Sequence, residues 1–351
     1  MVSKVTLTCH AAPTCPSHLY ITSHPSHQAR LVESWSLPEV AKTVGPLTRL
    51  SSVLGTTMGS TYTPKALFDA SGLVVVITGG AGGLGRIMAH TLATNGAKAI
   101  YLLDVNEDGL AAVKDSSTAP HLIHTVICNV LDKESLAAAA DRVRTEVGYC
   151  DVVFANAGVL KAKTGDLFEM ARGPDAAANL QKTLWSVQPE DMVQTLSVNV
   201  MGVYFTAVAF LTLLDEANRR PEALQQKSQI IVTSSAASFT RESLAGFSYT
   251  ASKAAATQVF KMLATTLAPL PIRVNALAPG YFLTEMTSGL FPGDPRCEGG
   301  VPSVAVPLGR TGKEEEMAGA VLYLVSKAGA YLSGTILVLD GGILSVVPST
   351  Y

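Results

Sequence analysis

One short segment constrains the fold more than any other. Residues 73–77 read Leu-Val-Val-Val-Ile, and Thr78-Gly-Gly-Ala-Gly-Gly-Leu-Gly85 follows at once. An uninterrupted run of β-branched residues ending in glycine is the pattern of a strand buried on both faces. Residues 85–95 then read as a helix, with Gly96 placed to end it. Strand, glycine-rich turn and helix in that order open a parallel βαβ unit, which excludes an all-helical chain.

The same alternation continues downstream. Residues 99–104, 121–128, 151–154, 229–233, 272–277 and 335–339 read as further strands, with helical stretches such as 135–147 between them. The predicted fold is α/β, a single doubly wound parallel sheet (Rossmann-like) with helices on both faces, spanning residues 72–351. Residues 1–71 are expected to be a poorly ordered N-terminal extension, since 1–57 hold four of the seven His, many Ser, Thr and Pro, and no clear period. The chain has 351 residues, 48% of them apolar, enough for a sizeable core. Charged residues make up only 15%, where about 25% is usual, which suggests much surface buried in the fold or between subunits. The 26 Lys and Arg nearly balance the 28 Asp and Glu, so nucleic acid is not expected as a partner. Residues 192–214 are uncharged but contain Gln194, Thr195, Ser197 and Asn199. They read as a buried or interface helix of a homodimer or homotetramer rather than a membrane span.

Five scattered Cys without a CxxC pair point to a reducing compartment. Cys9 and Cys15 lie near His10 and His18, but the Pro- and Ser-rich surroundings give no rigid frame, and no metal is expected. The extension is Ser-rich and acid-poor, yet has a single Arg in its first thirty residues. A cytoplasmic location is therefore expected, with mitochondrial targeting as the alternative.

The glycine turn carries the first chemistry. Gly79, Gly83, Leu84 and Gly85 form a cradle in which small residues let the backbone approach a pyrophosphate, at a helix N-terminus that favours its charge. Asp104 ends the second strand 19 residues beyond Gly85, near the roughly 20 expected for a carboxylate that grips ribose hydroxyls. The cofactor is thus expected to be NAD or NADP. NAD is favoured, because Asp104 would repel a 2′-phosphate and position 82 is Gly rather than a basic residue.

The second piece is Tyr249-Thr-Ala-Ser-Lys253, which opens an Ala-rich helical stretch. The i, i+4 spacing places phenol and ammonium on one helix face. A phenol titrates near 10, and a nearby cation is expected to lower that value, making Tyr249 a candidate general acid/base.

With these pieces in order, the sequence resembles the short-chain dehydrogenase/reductase family, and its fungal branch in particular. The residues that carry the resemblance are Thr78-Gly79…Gly83-x-Gly85, Asn156-Ala-Gly158, Asn199, Ser235, Tyr249…Lys253, and Pro279-Gly280 followed by Thr284, over residues 73–342. The resemblance implies that Tyr249 exchanges a proton with the substrate oxygen, Lys253 lowers its pKa and binds the ribose, and Ser235 orients the carbonyl. It implies that Asn199 holds a relay water, that Asn156 and Gly158 lie near the cofactor, and that Phe282 and Thr284 contact its nicotinamide end. Three departures stand out. Ala236 occupies the position thirteen residues before the tyrosine, so Ser235 is taken as the family's serine, with Ser234 as the alternative. Asn129 replaces the frequent Asp after the third strand and can still hydrogen-bond adenine. Residues 161–189, with Trp185, form an enlarged loop expected beside the substrate entrance, and 286–307 could form a lid. The implied function is hydride transfer between NAD(P) and a small-molecule secondary alcohol or ketone. A cofactor-binding regulatory protein without turnover, or a lyase or epimerase on the same fold, are the alternatives.

Overall fold

The computed structural model describes residues 62–351 apart from 162, 163, 166 and 244. Cys9, His10, Cys15 and His18, and the expected extension as far as residue 61, lie outside the described residues. The packed domain begins ahead of the expected boundary at 72. Thr63 caps a helical turn at Pro64–Leu67, and Ala70 is fully buried in the core.

Seven strands form one sheet: β1 (Val74–Thr78), β2 (Ala99–Asp104), β3 (Ile123–Ile127), β4 (Val152–Ala155), β5 (Gln229–Thr233), β6 (Arg273–Pro279) and β7 (Ile336–Leu339). Their order is β3-β2-β1-β4-β5-β6-β7, and each neighbouring pair is parallel. Central β1 aligns Val75 with Ile100 on one side and with Val152 on the other. All five of its residues are buried, because successive side chains enter opposite layers. Val75 and Ile77 join one core with α1 (Gly83–Thr94) and α9 (Glu314–Val325). Val74 and Val76 join the other, with α3 (Lys133–Glu146), α6 (Gly202–Ala209), α7 (Leu211–Arg219) and α8 (Phe247–Thr266). Each fully buried Val, Leu or Ile contributes about 1.5–3 kcal/mol. This two-sided burial explains why the strands read as apolar runs rather than alternations.

The remaining helices of eight or more residues among those described are α2 (Glu107–Asp115), α4 (Ala176–Trp185) and α5 (Pro189–Leu196), with a single helical turn at Leu167–Met170. The first is started by Asn106, whose side chain accepts from the Gly109 amide at 3.0 Å. Two of them, α2 and α4, lie where no helix was assigned from sequence. The chain moves outward from β1 to β3, then crosses back to β4. The carboxyl ends of β1 and β4 therefore border the crevice where such sheets place their ligands.

Candidate active site

Each strand end at that crevice carries part of the site. After β1 the loop turns into α1 at Gly83, and no side chain caps that helix. Only glycine fits at position 85, since a Cβ there would lie 2.1 Å from the Gly79 carbonyl oxygen. Leu84 is half-buried against the first core. From the end of β2, Asp104 accepts the Ala81 amide at 3.1 Å and the Asn106 amide at 3.1 Å. Asn156, after β4, donates to the carbonyls of Thr78 and Gly79 at 3.0 and 3.3 Å, so it holds the loop's entry. Close-packed small residues, a helix N-terminus without a capping side chain and a carboxylate at the second strand end fit a dinucleotide. Asn129 is exposed beyond β3, its side chain accepting from the Leu131 amide. Arg86 is held by Glu314 at 2.7 Å.

Two of the residues expected to handle protons, Lys253 and Asn199, meet around Gly158. Lys253 is buried and donates to the Thr233 carbonyl at 2.8 Å. Burial holds its ammonium down to about 8. Asn199 is fully buried within a π-helical turn, Ser197–Met201, that joins α5 to α6. Its Oδ1 accepts the Val159 amide at 2.8 Å, and its Nδ2 donates to the Val159 carbonyl and to Ser252 Oγ. A Cβ on Gly158 would lie 3.2 Å from Asn199 Oδ1 and 3.3 Å from Lys253 Nζ, so both polar groups face that glycine. Single-turn π distortions are frequent where a helix must aim a polar group.

Tyr249 and Ser235 face a cavity of about 860 Å³ at the end of β5. Burial pushes the Tyr249 phenol up, and its hydrogen bond with Ser235 pulls it back. The lowering by Lys253 expected from spacing is absent here. The ammonium is committed to Thr233, 5.8 Å from the ring centroid, and burial is the larger effect. Ser235 Oγ also accepts the Ala237 amide at 3.1 Å. Ser234 turns the other way, hydrogen-bonded to Thr257 Oγ1 at 2.6 Å inside the fold. The one-residue shift thus leaves Ser235, not Ser234, on the cavity.

The segment after β6 departs from expectation in one place. Phe282 is 5% exposed, its ring in the core beside Gly312 rather than on the cavity. Only its backbone is left to meet a nicotinamide. Thr284 faces the glycine loop, its Cγ2 3.6 Å from where a Cβ on Gly83 would lie. Sequence reasoning missed Glu285, which reaches the same loop, and the aromatic wall of Tyr281 and Phe291, whose rings meet edge to face at 5.2 Å. It also missed Glu242 and Arg172, two charged residues on the cavity lining. Arg172 comes from the enlarged loop, which borders the cavity with Thr164, Gly165 and Leu167. From 286–307, Met286, Thr287, Leu290, Phe291 and Val304 form another side. Neither His90, which bonds the Val113 carbonyl, nor His124, stacked on Tyr101, takes part. Among the described residues no group of His, Cys, Asp or Glu is arranged to hold a metal ion.

Known proteins match this chain over most of its length. A family model described as enoyl-(acyl carrier protein) reductase matches residues 79–344. The chain is 39% identical over 307 residues to the short-chain dehydrogenase/reductase PhomF of Diaporthe leptostromiformis, covering 84% of this chain and 100% of that one. It is 36% identical over 313 residues to the short-chain dehydrogenase/reductase VdtF of Byssochlamys spectabilis, covering 84% and 99%. Among solved structures, 3-ketoacyl-(acyl-carrier-protein) reductase from Brucella melitensis complexed with NADH superposes with a TM-score of 0.62 at 25% identity, over 78% of this chain and 98% of that one.

Proposed function

This chain belongs to the short-chain dehydrogenase/reductase family, and on that premise we propose that it interconverts a secondary alcohol and a ketone with Tyr249 as general acid/base. It is an NAD(P)-dependent oxidoreductase acting on CH–OH or carbonyl groups of small molecules. The observation that carries the finer reading is the pairing of Ser235 and Tyr249 on one cavity wall, with Lys253 a helical turn beyond. Bound, the nicotinamide supplies or accepts the hydride. The protein's part is to hold the substrate oxygen between two hydroxyl donors, where charge develops in reduction. Tyr249 then gives or takes the proton, and Lys253 and Asn199, meeting at Gly158, provide its onward route. Gly79, Gly83, Gly85, Asp104, Asn156 and Gly158 would bind the cofactor, with Thr284 at the loop.

NAD is proposed as the preferred partner of Asp104, because Arg86 is occupied by Glu314 and Val105, the next residue, is exposed and uncharged. The cavity's mostly apolar lining suits a bulky substrate. A homodimer or homotetramer in the cytoplasm completes the reading.

The test is Tyr249→Phe, with a confirmed substrate followed at the nicotinamide absorbance band. We expect kcat to fall by at least about 10²-fold, the lower range for a positioned acid/base. Cofactor affinity should change little. Equal turnover by mutant and wild type would overturn the assignment. Turnover without net change in cofactor absorbance would favour the lyase or epimerase alternative.

A further inference from the structure

We propose that residues 348–351 are a positioning strap for Ser235, so that turnover depends on them although none of the four lines the substrate cavity. The inference rests on the reading of Ser235 and Tyr249 as the pair that holds the substrate oxygen. Ser235 leaves β5 and caps a tight helical turn, Ala236–Phe239, its Oγ accepting the Ala237 amide at 3.1 Å. Within that turn the Ser238 amide donates to the Ser235 carbonyl at 3.0 Å, and the Thr240 amide to the Ala237 carbonyl at 3.3 Å. So short a turn is held by few bonds of poor geometry, and the next helix, α8, starts only at Phe247. The direction in which Ser235 presents its hydroxyl therefore depends on what grips the turn from outside.

Residues 348–351 supply that grip. Thr350 donates its amide to the Phe239 carbonyl at 2.7 Å, and its hydroxyl to the same oxygen at 3.2 Å. The Arg241 amide donates to the Pro348 carbonyl at 2.8 Å, and Thr240 pairs with Ser349 in an isolated antiparallel bridge. The Tyr351 ring meets the buried Phe239 ring edge to face at 5.0 Å. Without these partners the Phe239 carbonyl and the Arg241 amide would turn to water and let the turn open. The strap is itself anchored. Asp340, just after β7, accepts the Gly342 and Leu344 amides at 2.9 and 2.8 Å, and Ser349 Oγ donates to the Leu344 carbonyl at 3.1 Å. Between them Ile343 is buried against Val301 and Val306. The turn behind Ser235 is thus tied to the end of β7, two strands away from β5 in the sheet.

The experiment measures kcat/KM with a ketone that the wild type reduces, and NADH affinity by calorimetry. The variants are deletion of residues 348–351, Tyr351→Ala, Tyr351→Phe, Ser235→Ala, and Ser235→Ala combined with the deletion. We expect the deletion to lower kcat/KM by at least about tenfold, through a displaced hydroxyl, with NADH affinity kept within about twofold. Tyr351→Ala, which leaves the backbone bonds in place, should move in the same direction, and Tyr351→Phe should match the wild type because the contact is made by the ring. In the Ser235→Ala background the deletion should cost less than about twofold more, since the group it positions is gone. The full cost in that background, or a parallel fall in NADH affinity, would reduce the strap to a purely structural part and overturn the proposal. So would unchanged kcat/KM in the deletion and in Tyr351→Ala. Full activity in Ser235→Ala would instead refute the role given to Ser235, and the strap with it.

Discussion

Lys253 is the side chain on which burial acts most visibly. Its ammonium is held down to about 8 by burial alone, against about 10.4 in an unfolded chain. Below pH 8 it is charged in both states, and its desolvation cost is present in full. Between about 8 and 10.4 the unfolded chain keeps a proton that the folded one has released, so stability rises with pH across that window. Lys253→Met removes this dependence. Urea midpoints should show wild type gaining on the mutant between pH 8 and 10.4, by at most about 3 kcal/mol from 1.36 kcal/mol per pH unit. A difference that stays constant would mean the lysine does not titrate there. At Asp104, Asp104→Ser with Val105→Arg removes the carboxylate and adds a cation beside the proposed ribose site. We expect the ratio of kcat/KM for NADPH over NADH to rise by at least about tenfold, or 1.4 kcal/mol. No change would remove Asp104 from cofactor choice. Tyr249 and Lys253 lie on one helix, so their four-residue spacing in the sequence already places them on one face. The place of Glu285 was not legible there, because it meets Gly82 only after the chain has folded some two hundred positions onto itself. Nor was the choice between Ser234 and Ser235, which depends on how the backbone leaves β5.

The π-helical turn at Ser197–Met201 shows what periodicity cannot convey about an element. Residues 192–214 read as one helix, yet the structure has α5, the π-helical turn, α6, and a break at Phe210 before α7. No charged residue falls between 192 and 214, so the hydropathy pattern runs through these breaks unbroken. The wide turn aims Asn199 at Val159 and Ser252, tying the strand-end loop to α8. Asn199→Ala strips both Val159 backbone groups of their partner inside the fold. It should cost about 2–3 kcal/mol in a urea melt, and a loss below 0.5 kcal/mol would make the turn incidental. Gly158→Ala tests the neighbouring loop. Its new methyl would press on Asn199 Oδ1 at 3.2 Å and Lys253 Nζ at 3.3 Å. We expect at least about a tenfold fall in kcat, since misplacement by a few tenths of an ångström at reacting groups is costly, with the melting temperature nearly kept. A fully active variant would show that Lys253 and Asn199 do not act from these positions. The strands, in contrast, were legible nearly to the residue. Two-sided burial forces a run of Val, Ile and Leu that few other elements require.

At the scale of the whole molecule, the low charge content has two destinations. The sheet takes one share, with both faces covered. The helical stretch Pro189–Arg219 carries another. By length and composition it could cross a membrane, but Val203, Ala207, Leu213 and Leu214 on it are packed into the second core. Insertion into lipid would have to empty that core. Its outer face, expected from sequence to be buried or at an interface, has Val193 61% exposed and Met201, Tyr204 and Val208 each 47% exposed. Helix α8, packed against α5, adds Phe247 and Met262 as exposed apolar residues. Exposed apolar side chains carried on packed helices are candidates for an interaction surface, and a stable symmetric interface buries about 800 Å² per partner. A second copy of the chain is the occupant we propose, because the face belongs to the same helices that carry Asn199, Tyr249 and Lys253. Pairing there would stiffen the site from behind. Light scattering on the eluting protein should give a dimer or tetramer at micromolar concentration. Val193→Glu with Val208→Glu should shift it to a smaller species, because two carboxylates would be buried without partners at about several kcal/mol each. That variant should also lose part of its activity while keeping its far-ultraviolet dichroism. A wild type that elutes as a monomer would leave the low charge content to the sheet alone.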